Sequence, residues 1–336
     1  LFPICYPPPM TANPLLAPAT STALPAFDAI RPEHIAPAVD EWLTQASAAL
    51  ETVVAPGFAA DWLALARTLD VATERLSRGW GAVGHLNAVA DSPELRAAYN
   101  EALPKVTAFW TRLGADERLY GKYKAIDAGA LNAAQRQALA NARRNFVLSG
   151  ADLQGEAKAR FAAIQERQAE LAQKFSENVL DATDQWSTLA SAEEVQGMPA
   201  DALAAARAAA ESDGHPGLYK LTLKMPSYLP AMQFGQHRPL RERLYRAYVT
   251  RASDQAQGEG AAARDNGPLM AELLALRQEE AQLLSKASFA EVSLVAKMAE
   301  SPQQVIAFLR DLAARARPGA ERDLAELREF ARAELG

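Results

Sequence analysis

Apolar residues in this chain recur mostly at steps of three and four. Val39, Trp42, Leu43, Ala46, Leu50 and Val53 form one such series, and Trp62, Leu65, Leu69, Ala72 and Leu76 another. Each is the mark of an amphipathic helix with one face turned to a core. A third helix is announced by Ser92, whose hydroxyl can accept from a free backbone N–H, and by Pro93, placed where no donor is needed. Its apolar face is expected at Leu95, Tyr99, Leu103, Val106, Trp110 and Leu113, with a kink at Pro104 and Gly114 closing the end. A longer helix is predicted from about Lys158 to Trp186, with Phe161, Ile164, Leu171, Phe175, Val179 and Trp186 on one stripe.

One segment departs from this rhythm. Tyr219, Leu221, Leu223 and Met225 alternate with Lys220, Thr222 and Lys224, a period-two pattern that predicts a half-buried strand ended by Pro226. It is read as part of a short structural hairpin or as a strand approaching a binding channel. Gly214, Pro216 and Gly217 precede it and Pro230 and Pro239 follow, so residues 212–239 are expected to divide a helical domain (13–211) from a second helical region (240–336). In the latter, Ser301, Pro302 and Gln304 form a capping-box pattern ahead of Val305, Phe308, Leu309 and Leu312, and Leu324, Leu327, Phe330 and Leu335 continue the apolar theme. No fixed-period repeat is present. The expected fold class is all-α, multi-helical, with a short β segment near residues 218–226.

Composition agrees: Ala, Leu, Glu, Arg and Gln dominate, and they lose least on entering a helix. With 336 residues, 49% of them apolar, the chain can bury a sizeable core. Its only cysteine, Cys5, lies in a proline-rich leader, which leaves no disulfide framework and favours a reducing, cytoplasmic setting. That leader (residues 1–12) begins with Leu, carries no charged n-region or long apolar run, and is expected to be unstructured, with Met10 the expected start. No run of about 18 to 20 apolar residues predicts a transmembrane helix. A formal net charge of -6 gives no global basic field, so neither membrane nor nucleic acid is an expected partner.

Catalytic signatures are missing. His34, His85, His215 and His237 are far apart, none is followed by Glu, and none belongs to H-E-x-x-H, the spacing that sets two imidazoles on one helical face for zinc. Each is read as a capping, loop or satisfied buried histidine; His85, in a glycine-punctuated stretch after Trp80, marks a packing hinge. The stretch from Gly79 to Gly84 lacks the preceding strand of a dinucleotide fingerprint. The neighbours Glu193–Glu194 and Glu279–Glu280 point in different directions on a helix and are read as solvated faces. Arg238, Arg241, Arg243, Arg246 and Arg251 give one helix a basic character. A role beside an acidic peptide terminus and an ordinary ion-paired surface are the two readings, and the second is preferred.

Several long runs carry a resemblance. They are Asn13-Pro14-Leu15-Leu16, LPAFDAIRPEHIAPAVDEWL (24–43), GHLNAVADSPELRAAYNEALPK (84–105), the run LSGADLQGEAKARFAAIQERQAELAQKFSENVLDATDQW (148–186), and DNGPLMAELLALRQEEAQLL (265–284). Together they resemble the oligopeptidase A branch of the thimet oligopeptidase family, the M3 zinc metallopeptidases. The resemblance implies a two-lobed, largely helical, cytoplasmic peptidase that cuts short peptides in a deep channel. It also implies that H-E-x-x-H and a third glutamate ligand hold zinc on the carboxyl-terminal half. On that reading this chain is the amino-terminal portion, ending before the zinc site. It would form channel wall and scaffold, contribute no catalytic or metal residue, and have the carboxyl-terminal catalytic half and short peptides as partners. No substrate-binding residue is named. The alternative is a non-catalytic helical module that binds peptides or a protein.

Overall fold

The computed structural model describes residues 13–17 and 24–335; the leader with Cys5 and Met10 lies outside them, as does the side chain of Leu335. The chain divides into two compact units, one holding the described residues up to Glu166 and from Arg277 onward, the other spanning Arg167–Leu276.

In the first unit, helix α1 (Ile35–Val54) serves two cores. Asn13 fixes its start: the side-chain amide donates to the His34 carbonyl (2.8 Å) and its oxygen accepts from the Leu15 N–H (3.0 Å). A short α2 (Trp62–Leu65) and a π-helical turn (Ala66–Asp70) lead into α3 (Val71–Val89). Then come α4 (Pro93–Gly114), α5 (Glu117–Ala125) and α6 (Ala133–Leu148). Ile35, Val39, Trp42 and Ala46 of α1 pack with Leu76 and Val83 of α3 and with Ala102, Val106 and Phe109 of α4. Further along α1, Leu50 and Val53 pack with Leu65, Leu69, Leu119, Leu139 and Phe146.

The helix ends are written locally. Ser92 Oγ accepts from the Leu95 N–H (3.2 Å), and Asn132 and Gln135 exchange reciprocal bonds of 2.9 and 3.0 Å. Asp116 caps α5 by accepting from the Arg118 and Leu119 N–H groups (2.9 and 3.0 Å). Burial raises its carboxyl, but the Arg118 guanidinium and these N–H bonds outweigh that and hold it below the usual carboxylate range. Arg118 also reaches Glu51 of α1 with two 2.9 Å bonds, tying α5 to α1.

The division between units falls inside α7 (Gly155–Gln185). In the second unit β1 (Ser187–Ala190) pairs antiparallel with β2 (Tyr219–Thr222), in the register Ser187 to Thr222 and Ala190 to Tyr219, and α8 (Ala200–Ser212) joins them. The core of this unit gathers Ala190, Val195, Leu221, Leu223 and Tyr228 with residues of α9 (Met225–Phe234) and α10 (Arg238–Thr250). After α11 (Gly267–Leu283), the chain continues through α12 (Phe289–Leu294) into α13 (Pro302–Leu335). Ser301 Oγ accepts from the Gln304 N–H (3.1 Å), and the Gln304 side chain returns to the Glu300 N–H (2.7 Å), one residue earlier than a strict capping box. Among the described residues no helix is long and apolar enough to cross a membrane.

The β segment expected near residues 218–226 is present as β2, which pairs as far as Thr222; α9 then starts at Met225 with Pro226 in its first turn, the position a proline tolerates best. Four expectations need correction. Strand β1, the partner of β2, lies beyond a whole helix, so the pair is not a tight hairpin. The buried face of α4 centres on Leu95, Ala102, Val106 and Phe109, rotated from the predicted series, because small Ala102 takes a fully buried position while Tyr99 and Trp110 sit at the margin. Gly114 stays helical and instead makes room for Ser149, whose side chain lies where a Cβ would be.

The fourth correction concerns the glycines of α3. The helix runs uninterrupted from Val71 to Val89, so the glycine-rich stretch is not a hinge. A Cβ on Gly79 would fall 2.0 to 2.6 Å from three atoms of the Trp42 six-membered ring, whereas one on Gly81 would meet nothing within 4 Å. Gly79 therefore permits α3 to approach α1. Gly79→Ala should lower unfolding stability by about 1–3 kcal/mol through overpacking. Gly81→Ala should raise it by about 0.5–1 kcal/mol through helix propensity. Urea titrations of both variants check this, and a Gly79→Ala protein as stable as the parent would remove the close approach from the account.

Candidate functional site

A concave site lies in the second unit, on the carboxyl-terminal part of α10 and the loop that follows it. Helix α10 buries Leu240 and Leu244, which leaves its other positions to arginines. Arg241 donates to the Gly235 carbonyl at the helix start, and Arg243 pairs with Glu194 at 3.2 Å. Arg246 pairs with Glu242, one turn back, at 2.8 Å. Arg251 follows the last turn. Its guanidinium lies 3.8 Å from the centre of the Tyr248 ring and donates to the Tyr248 carbonyl, and Tyr248 in turn stacks on Tyr228 with 4.3 Å between centroids.

The backbone then turns sharply. Ala252 is buried and adopts a left-handed φ of 53°, a conformation costly for a residue with a side chain. It is held from the far side of the loop: the Asn266 N–H donates to the Ala252 carbonyl (3.0 Å). The Asn266 side chain accepts from buried Asn178 (2.9 Å) and donates to the Phe175 carbonyl (3.1 Å). The loop between carries Gly258 and Gly260, both at positive φ, and Arg264, which donates to the Glu259 carbonyl (2.9 Å). The result is a cleft of about 880 Å³ bordered by Arg243, Arg246, Arg251 and Arg264, with Glu259 as its one carboxylate and with Trp186 and Leu223 among its apolar lining.

Of the five arginines singled out in the sequence, three line this cleft and Arg238 and Arg241 do not. The ion-paired reading holds for Arg243 and Arg246. It does not hold for Arg251, which makes no carboxylate pair among the described residues and is fixed by aromatic stacking instead. Arg264 was missed by sequence reasoning, because its partners are backbone groups of a loop without periodicity. Asn266, which anchors the loop, stood in the sequence only inside the 265–284 run that carries the resemblance.

The remaining candidates resolve into structure. His34 Nδ1 accepts from the Arg31 N–H (3.0 Å) and His237 Nδ1 from the Leu240 N–H (3.3 Å), so both act at helix starts. His215 is exposed in a turn, and His85 contacts the Phe27 ring at 5.4 Å. Among the described residues no group of three His, Cys, Asp or Glu side chains comes together to hold a metal. Glu194 accepts from the Ser191 N–H (2.9 Å); that bond first, and Arg243 beyond it, keep its carboxyl below the ordinary range. Glu279 is gripped by both ends of the Arg160 guanidinium at 2.6 Å. Glu280, expected on a solvated face, is only 7% exposed.

A second surface feature lies on α13. Ile306, Phe308, Leu309 and Leu312 near its start and Leu324, Leu327 and Phe330 near its end are all exposed, Phe308 by 65% and Leu327 and Phe330 by 64% each. Apolar side chains at this spacing normally face a core.

Comparison with known proteins gives a consistent picture. Residues 38–158 match the family described as Neurolysin/Thimet oligopeptidase, N-terminal domain, and residues 231–336 match Peptidase family M3. Oligopeptidase A of Salmonella typhimurium is 49% identical over 329 residues, covering 96% of this chain and 48% of that protein. Oligopeptidase A of Escherichia coli is 48% identical with the same coverage, and the probable cytosolic oligopeptidase A of Arabidopsis thaliana is 36% identical over 96% of this chain and 46% of its own length. The chain thus spans about half the length of the curated relatives it matches.

The apolar stripe on α13 has a direct consequence. Leaving several such side chains in water forgoes about 1.5 to 3 kcal/mol each, so the 336-residue chain should bind a hydrophobic dye and self-associate with rising concentration. Leu327→Glu together with Phe330→Glu should reduce both signals. Dye fluorescence and sedimentation check this; a dye-silent monomer would show that the stripe is not a sticky surface.

Proposed function

This chain belongs to peptidase family M3, and from that premise we propose that it is the amino-terminal part of a zinc metallo-oligopeptidase that hydrolyses short peptides. The observation that carries this reading is identity near one half, sustained along almost the whole chain, to proteins named oligopeptidase A. The segment's role is framework. Its helices form part of the wall of a channel that admits short unstructured peptides, a selectivity that needs packed backbone and not reactive side chains.

Zinc-dependent chemistry requires ligands with suitable spacing and an open coordination position. The residues present here do not fit that need: no histidine is followed by the Glu of an H-E-x-x-H motif, and His34 and His237 already use Nδ1 on backbone N–H groups. The proposal therefore gives no catalytic or metal-binding role to a residue of this chain; groups elsewhere in the whole protein would supply that chemistry. The peptidase-family match beginning at residue 231 supports a sequence boundary within 212–239, although the compact unit Arg167–Leu276 runs through that segment. A cytoplasmic location is supported by the relative named as cytosolic.

The test is enzymatic. With excess zinc, the 336-residue chain should not cleave an internally quenched short peptide above background. Turnover that co-purifies with the chain and disappears with a chelator would overturn the framework reading and require metal ligands within these residues.

A further inference from the structure

We propose that the cleft between α10 and the 252–262 loop binds the free carboxylate of a short peptide, with Arg251 and Arg264 as the anion-binding pair. Four arginines border it against the single carboxylate of Glu259. Two of the four are neutralised from outside the lining, Arg243 by Glu194 and Arg246 by Glu242. Arg251 and Arg264 are not: neither pairs with a carboxylate among the described residues, and their guanidinium groups donate only to the backbone carbonyls of Tyr248 and Glu259. Half-buried guanidinium groups without a counter-charge are costly unless an anion satisfies them.

Guanidinium presents a planar fork that matches a carboxylate or a phosphate, so charge alone leaves both ligands open. The rest of the lining favours a peptide. Gln185, Gln255 and Gln257 offer amide donors and acceptors of the kind a peptide backbone uses, and Trp186, Leu223 and Ala247 give apolar surface for side chains. The volume of about 880 Å³ lies inside the range of about 300–1,000 Å³ typical of clefts that take small ligands. The site is also braced for binding. Arg251 is held over the Tyr248 ring, which stacks on Tyr228, and the loop is pinned at Ala252 by Asn266, so little ordering remains to oppose association.

The choice of a peptide as ligand rests on the family reading above; the anion site itself does not. Calorimetric titration of the 336-residue chain, without zinc, with N-acetyl-tetra-alanine bearing a free carboxylate, with its carboxyl-terminal amide, and with inorganic phosphate separates the cases. The free acid should bind saturably, and the amide about tenfold more weakly or not at all. Affinity should fall as salt is raised. Arg264→Gln should weaken binding of the acid about tenfold while leaving the circular dichroism spectrum unchanged, and Arg251→Gln should do the same. Arg315→Gln, on α13, should have no effect. Equal binding of acid and amide, no saturable binding of the acid, or full affinity in folded Arg264→Gln would overturn the proposal. Tight phosphate binding that the peptide does not displace would overturn the peptide assignment. Turnover is not read in this experiment, so a full-length protein that failed to cleave peptides would refute the peptidase reading and leave the result here standing.

Discussion

The six-membered ring of Trp42 rests where a side chain of residue 79 would have to go. Much of the first unit depends on that contact. It brings α3 against the amino-terminal part of α1, and α4 packs its Ala102–Val106–Phe109 face into the same cluster. Because α1 is one continuous helix, its second half then presents Leu50 and Val53 to a different set of partners from α5 and α6. A single helix with apolar positions over most of its length thereby organises two cores, and a mismatch at its tightest point would be felt by both. Close packing of this kind tolerates little change of volume.

The second unit is held by different means. Its two strands are four residues each, too short to be stable alone, and they survive by covering the same core as α8, α9 and α10. Polar groups do the fixing where the chain must turn: Asn178 and Asn266 are both buried, and together they hold Ala252 in its left-handed conformation. The cleft beside α10 exists because of that turn, which carries the loop away from the helix and leaves Arg251 stacked on Tyr248. The candidate site thus depends on one buried hydrogen-bond chain, from Asn178 through Asn266 to Ala252.

What could be read from the sequence follows the range of the forces involved. Helices with local start signals were legible at Ser92 and Ser301, whose side chains bond the backbone there; Asn132 and Ser288 act in the same way but were not singled out in the sequence. The buried series of α1 was legible too, because periodicity reports burial when one face dominates. Three features were not. The π-helical turn at Ala66–Asp70 leaves no compositional trace, since one extra residue in a turn keeps the apolar spacing within its ordinary scatter. Strand β1 is four residues long and has no alternation of its own to mark it. The rotated face of α4 follows from which neighbour lies closest, a tertiary fact that favours Ala102 over larger side chains. For the site, the arginine-rich helix was visible but Arg264 was not: it bonds a nearby backbone carbonyl in a loop whose anchor, the Asn178–Asn266 bond, joins residues far apart in sequence.

The proposal to be tested is that this chain supplies architecture, and not chemistry, to an M3 peptidase. A chimera tests it most directly: replace the amino-terminal half of an oligopeptidase A relative with this chain, keep the relative's own carboxyl-terminal half, and measure cleavage of a short quenched peptide with and without a zinc chelator. The account predicts chelator-sensitive cleavage that the chain alone does not show. A chimera that folds and retains zinc but leaves the peptide intact would contradict it.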